Sequence, residues 1–131
     1  MRNINDIIIH CSATREGIDY HASDIDMWHR QRGWNGIGYH FVIDLDGTIE
    51  TGRDITKTGA HCQGHNAGSI GICYIGGLDK DGKPKDTRTP EQYTAMHELV
   101  ARLVDEYGCG VHGHCDYAAK ACPCFDVHEE F

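Results

Sequence analysis

Between Val111 and Phe125 the segment VHGHCDYAAKACPCF gathers two imidazoles (His112, His114), three thiols (Cys115, Cys122, Cys124) and one amine, Lys120. Imidazole nitrogen and thiolate sulfur are the donors that zinc favours, at roughly 2.0–2.3 Å from the metal. The pairs present are His-x-His and Cys-x-Cys, with no Cys-x2-Cys, so the segment does not read as a closed structural knuckle. A catalytic zinc takes three protein donors and leaves a fourth position for water. Two donors from this segment therefore need a third from elsewhere, and the best-placed one is His10. It follows Ile7, Ile8 and Ile9, a β-branched run of the kind that makes a buried strand, and it precedes small polar residues that suit a loop. A strand-end histidine is well placed to point into a cleft from a rigid support. Taken alone it is as well an ordinary structural residue; the partner segment shifts that balance.

The elements that must position these groups follow from local pattern. In the first half of the chain, TREGIDYHA reads as a loop and Ser23 as a helix N-cap, with Asp26 three residues on as its capping-box partner. Ile25, Trp28 and His29 share a face of that helix, and Gly33 stops it. Tyr39, Phe41 and Ile43 alternate with His40, Val42 and Asp44 as a strand, and Asp46-Gly47 turns it into a hairpin with Thr48–Thr51. His61 and His65 sit in a Gly-rich loop, TGAHCQGHNAG, and SIGICYIGG is apolar enough for a central strand.

In the second half, LDKDGKPKDTR is a polar loop; its Asp79-x-Asp81-Gly82 lacks the later acidic ligands of a calcium loop. Thr89, Pro90 and Gln92 open a second helix with a capping box. Its apolar stripe is Tyr93, Met96, Val100, Leu103, Val104 and Tyr107, and Gly108 ends it. CGVHGH is a short strand that delivers the histidine–cysteine segment, and Asp126 caps a last helix of a turn or two. Strands and helices in this order indicate an α/β fold, a central mixed β-sheet flanked by α-helices.

With 131 residues the chain is expected to be one domain, 1–131. Twelve basic against twenty acidic residues give a formal charge of −8, which argues against a nucleic-acid partner. Seven cysteines is an odd count for a disulfide scaffold, and the first residues, MRNINDIIIH, carry no signal-peptide or membrane-spanning run. Synthesis in the cytoplasm without a signal peptide, thiols free or metal-bound, and no membrane insertion are therefore expected.

Four collinear stretches, IIIHCSAT, GWNGIGYHFVIDLDGTIETGRD, GAHCQGHNAGSIGICYIGG and HCDYAAKACPCFD, together resemble the zinc-dependent N-acetylmuramoyl-L-alanine amidases, in particular the small phage amidases related to peptidoglycan recognition proteins. The resemblance runs from about Asp6 to Asp126. It implies Zn2+ held by His10, His114 and Cys122, the cysteine being the one in Lys120-Ala121-Cys122-Pro123 and the histidine lying eight residues before it. It implies Tyr39 and Lys120 as catalytic side chains, and His61 and Asn66 as substrate-binding residues of a groove. The implied reaction is hydrolysis of the amide between N-acetylmuramic acid and L-alanine of peptidoglycan. The enzyme is expected to act as a monomer on the cell wall after release past a membrane lesion made by another protein.

Zinc lowers the pKa of bound water to roughly 7 and polarises a carbonyl, which is what an unactivated amide requires. Two other readings stand beside this one. The first is a non-catalytic peptidoglycan-binding module; such binders typically lose the zinc cysteine, which is present here as Cys122. The second is an interaction protein with a structural zinc built from Cys109, His112, Cys115, Cys122 and Cys124. His112 is either a surface residue or a partner orienting His114, and Cys11, Cys62 and Cys73 read as small buried fillers.

Overall fold

The computed structural model describes residues 2–131. The chain runs β1 (Asp6–Cys11), β2 (Thr14–Arg15), α1 (Ala22–Gln31), β3 (Phe41–Ile43), β4 (Ile49–Thr51), β5 (Ser69–Tyr74), β6 (Gly77–Leu78), α2 (Pro90–Tyr107), β7 (Gly110–Gly113), a 3₁₀ turn (His114–Asp116) and α3 (Val127–Glu130). Five strands form one sheet in the order β4-β3-β5-β1-β7, antiparallel at the β3–β4 hairpin and parallel elsewhere. The expected mixed α/β architecture is thus the observed one.

Strands β1 and β5 are buried almost throughout, as strands covered on both faces must be. Ile7, Ile9 and Cys11 of β1 and Ile70, Ile72 and Tyr74 of β5 pack with Met96, Leu99, Val100 and Leu103 of α2. On the opposite face Val42 and Cys73 pack with Ala22 and Ile25 of α1. Because strand side chains alternate between faces, the residue between Ile9 and Cys11 points away from α2. That residue is His10, fully buried.

Helix α2 begins as its sequence indicates. Thr89 Oγ1 accepts the Gln92 N–H at 3.0 Å, Gln92 Oε1 accepts the Thr89 N–H at 2.9 Å, and Gly108 closes the helix with φ +63°. Gln92 is itself buried, its amide donating to Ile43 O and Ile75 O at 3.1 and 3.0 Å. Tyr93, expected in the apolar stripe, is instead exposed, with Arg88 over its ring at 5.2 Å.

Three local expectations are corrected. The N-cap of α1 is His21, whose N–H donates to Asp24 at 2.8 Å; Ser23 lies inside the helix, and Asp26 accepts from Ile37 N–H and Arg30 instead. Thr14–Arg15, read as loop, and Gly77–Leu78, where the expected strand meets the expected loop, form β2 and β6, which pair in parallel over two residues, too short for any periodicity to register. Tyr39 precedes strand β3 rather than standing within it.

Candidate metal centre and cleft

Parallel pairing of β7 beside β1 sets Gly113 opposite Ile9, so His114 emerges next to His10 although 104 residues separate them. The loop beyond the 3₁₀ turn returns to the same point, held by the Cys115 N–H to Cys122 O at 2.9 Å and the Cys11 N–H to Cys122 Sγ at 3.2 Å. One donor atom each of His10, His114 and Cys122 then lies within 4.8 Å of the others. His10 Nδ1 and His114 Nδ1 face each other at 3.2 Å. In a tetrahedral zinc site with bonds of about 2.0–2.3 Å, neighbouring donors sit roughly 3.3–3.8 Å apart. Two imidazoles and one thiol at this separation fit a metal of borderline softness.

Both imidazoles are held in the form a metal requires. Burial, reinforced by His61, His114 and Lys120, drives the His10 pKa well below its ordinary value, and burial beside Lys120 lowers that of His114. His10 Nε2 lies 2.8 Å from His61 Nδ1, His61 Nε2 lies 3.3 Å from Ser69 Oγ, and Ser69 Oγ donates to His65 O at 2.7 Å. One proton pattern satisfies all three contacts: Nε2–H on each imidazole, leaving His10 Nδ1 as a free lone pair aimed at the donor cluster.

His61 fits because Gly71 and Gly59 lie against its ring. A Cβ at Gly71 would come within 2.6 Å of it and one at Gly59 within 2.7 Å. Burial then lowers the His61 pKa to about 3. His61 lines the cleft as expected, but its ring also positions His10, a role its sequence context did not disclose. Asn66 lines the cleft too; its side-chain oxygen accepts the N–H groups of His61 and Cys62, both at 2.9 Å, and so shapes the loop.

His114 borders an open cleft of about 620 Å³ whose lining also includes His29, Trp34, Tyr39, His61 and Lys120. A narrower recess of about 190 Å³, lined by Cys11, Tyr39, Lys120 and Cys122 among others, adjoins the same side chains. The Tyr39 ring centroid is 5.1 Å from that of His10, and burial pushes its phenol well above the ordinary value, so it stays protonated and available as a donor. His29 and Trp34 were not singled out from sequence as cleft residues. Their rings lie 4.5 Å apart, and His29 Nδ1 accepts the Gly38 N–H at 2.9 Å.

The alternative five-residue zinc set is not assembled. Cys109 is buried in the α2 core, Cys115 is exposed, and His112 pairs with Asp6 at 3.0 Å rather than bonding to His114. Cys11, Cys62 and Cys73 are buried as expected. Among the described residues no helix is long and apolar enough to cross a membrane.

The sequence profile of N-acetylmuramoyl-L-alanine amidases matches residues 1–125. The endolysin of Klebsiella phage KP32 is 43% identical over 122 residues, spanning 92% of this chain and 81% of the phage protein. Among solved structures, the N-acetylmuramoyl-L-alanine amidase LysC from Clostridium intestinale aligns with a TM-score of 0.83 at 33% identity, over 98% of this chain and 82% of that one. The ectodomain complex of peptidoglycan recognition proteins LCa and LCx with tracheal cytotoxin aligns with a TM-score of 0.78 at 28% identity, over 99% of this chain and 81% of that one. A profile match over nearly the full length, carried by a fold that closes His10, His114 and Cys122 around one point, places this chain in the N-acetylmuramoyl-L-alanine amidase family.

Proposed function

We propose that this protein is a zinc-dependent hydrolase of the amide between N-acetylmuramic acid and L-alanine in bacterial peptidoglycan, acting as a monomeric endolysin of a phage or prophage. The observation that carries the reading is the convergence of three metal donors, one of which, His114, lines a cleft that also presents Tyr39 and Lys120. His10, His114 and Cys122 would hold the ion, with the His61–Ser69 chain fixing the His10 tautomer. A zinc ion bound there supplies Lewis acidity and an acidified water.

The remaining chemistry falls to the chain. The Tyr39 phenol, kept protonated by burial, orients the attacking water and hands a proton on within the cleft. The Lys120 ammonium faces the same space and stabilises charge building on the carbonyl oxygen of the tetrahedral intermediate. His29, Trp34, His61 and Asn66 line the walls against which the muramyl peptide rests. The enzyme reaches the wall after another protein has breached the membrane.

The test pairs metal content with the release of L-alanine amino termini from purified sacculi. One zinc per chain is expected to be required, with release abolished by chelation and restored by zinc. A metal-free protein hydrolysing at the full rate would overturn the reading.

A further inference from the structure

A second group of donors lies outside the cleft, on side chains that the amidase reading leaves without a task. We propose that His112, Asp116 and His128 form a separate surface site for a divalent transition-metal ion, which ties α3 and β7 to the 3₁₀ turn. The three residues come from β7, the turn and α3, and one donor atom of each lies within 4.8 Å of the others. None of them belongs to the His10–His114–Cys122 group.

The geometry is that of a ligand set rather than a chance meeting of charges. Asp116 Oδ2 lies 2.7 Å from His128 Nε2 and 3.7 Å from His112 Nδ1. These separations bracket the roughly 3.3 Å edge of a tetrahedral site with bonds near 2.0 Å. Two of the three donors also have a neighbour that helps to place them. His112 Nε2 lies 3.0 Å from Asp6 Oδ1 on the neighbouring strand, an ion-pair contact on the ring edge away from Nδ1. A carboxylate on the far nitrogen is the usual support of a metal-binding imidazole. Asp116 Oδ2 accepts the Gly113 N–H at 3.0 Å, which fixes the carboxylate. Gly110 keeps the support intact, since a Cβ there would press to 3.2 Å from His112 Nε2.

Charge and ligand type then select the ion. Asp6 and Asp116 bring two negative charges to two neutral imidazoles, matching one divalent cation. Two nitrogen donors and one oxygen suit Zn2+, Co2+, Ni2+ or Cu2+, whereas Mg2+ and Ca2+ prefer all-oxygen shells. The side chains of His112, Asp116 and His128 are 29%, 26% and 59% exposed, so an ion enters directly from solvent. His114 lies between His112 and Asp116 in sequence, and Tyr117 of the cleft follows at once. An ion here stiffens the turn that carries one wall of the cleft.

Equilibrium dialysis of the full chain against Co2+, with absorption spectra, tests this. Wild type is expected to take two equivalents, one showing thiolate-to-cobalt charge transfer and one not. His128→Ala should lose the equivalent without charge transfer and keep both the other equivalent and hydrolysis of sacculi. Cys122→Ser should lose the charge-transfer equivalent and keep the second, and Asp116→Asn should weaken only the second. A wild type that saturates at one equivalent lost in Cys122→Ser, or a His128→Ala variant that still takes two, would overturn the proposal. A single equivalent lost in His128→Ala but retained in Cys122→Ser would uphold it and sink the zinc reading of the cleft.

Discussion

His10 Nε2 sits 2.8 Å from His61 Nδ1, and this contact decides which nitrogen of His10 is presented to His114 and Cys122. A buried imidazole has two chemically distinct edges, and without a partner on one of them the ring can turn or change tautomer. The chain from His10 through His61 and Ser69 to the His65 carbonyl removes that freedom.

Substituting His61→Ala therefore leaves the three metal donors in place but unsupported. Metal affinity is expected to fall about 10- to 100-fold, the usual cost of losing such a partner. Competition with a chromogenic chelator measures it. Gly71→Ala should produce a similar loss by displacing the ring, since its Cβ would stand 2.6 Å from it. Unchanged affinity in both variants would show that the His10–His61 contact does not tune the site.

Tyr39→Phe removes one hydroxyl from a half-buried ring and no metal donor. Zinc content should stay at the wild-type level while kcat on sacculi drops roughly 100-fold or more, the range of a lost proton-transfer group. A rate equal to wild type would remove Tyr39 from the chemistry.

Acid should destabilise the fold above the range in which ordinary carboxylates titrate. Burial lowers His29 and His40 to about 4. His40 Nδ1 accepts the Gly71 N–H at 3.0 Å, so protonating it would set one N–H against another. Below pH 6.5 the unfolded chain binds protons these folded-state histidines refuse, so their stabilisation is complete above pH 6.5 and is lost as pH falls toward 4. Asp44, raised to about 7 chiefly by burial, acts in the opposite sense, since its folded state holds a proton the unfolded chain releases. The urea midpoint should fall between pH 6.5 and 5, and more steeply in Asp44→Asn. A midpoint that rises over that interval would refute the assignment.

Gln92→Leu should cost on the order of 2–3 kcal/mol in urea unfolding, because two buried carbonyls, Ile43 O and Ile75 O, lose their donor and the α2 cap loses its partner. Wild-type stability in this variant would mean that the carbonyls find other donors.

Much of this molecule was legible residue by residue. Thr89, Pro90 and Gln92 start α2 and Gly108 ends it through contacts a few residues apart, and Asp46-Gly47 turns the hairpin for the same reason. The apolar run of β5 declared a central strand because burial on both faces leaves no polar alternation to find. Donor types and their order along the chain pointed to a metal chemistry before any fold was known.

Other features depended on strand register and on packing between distant segments. The β2–β6 pairing and the exposure of Tyr93 each follow from tertiary neighbours rather than from local pattern. His61 supports His10 because β5 places Gly71 beneath its ring, and His112 meets Asp6 because β7 lies in parallel against β1. The sequence by itself determined which groups were available to bind a metal and move protons. The parallel sheet decided which of them meet, because its register joins residues about a hundred positions apart and nothing local records it.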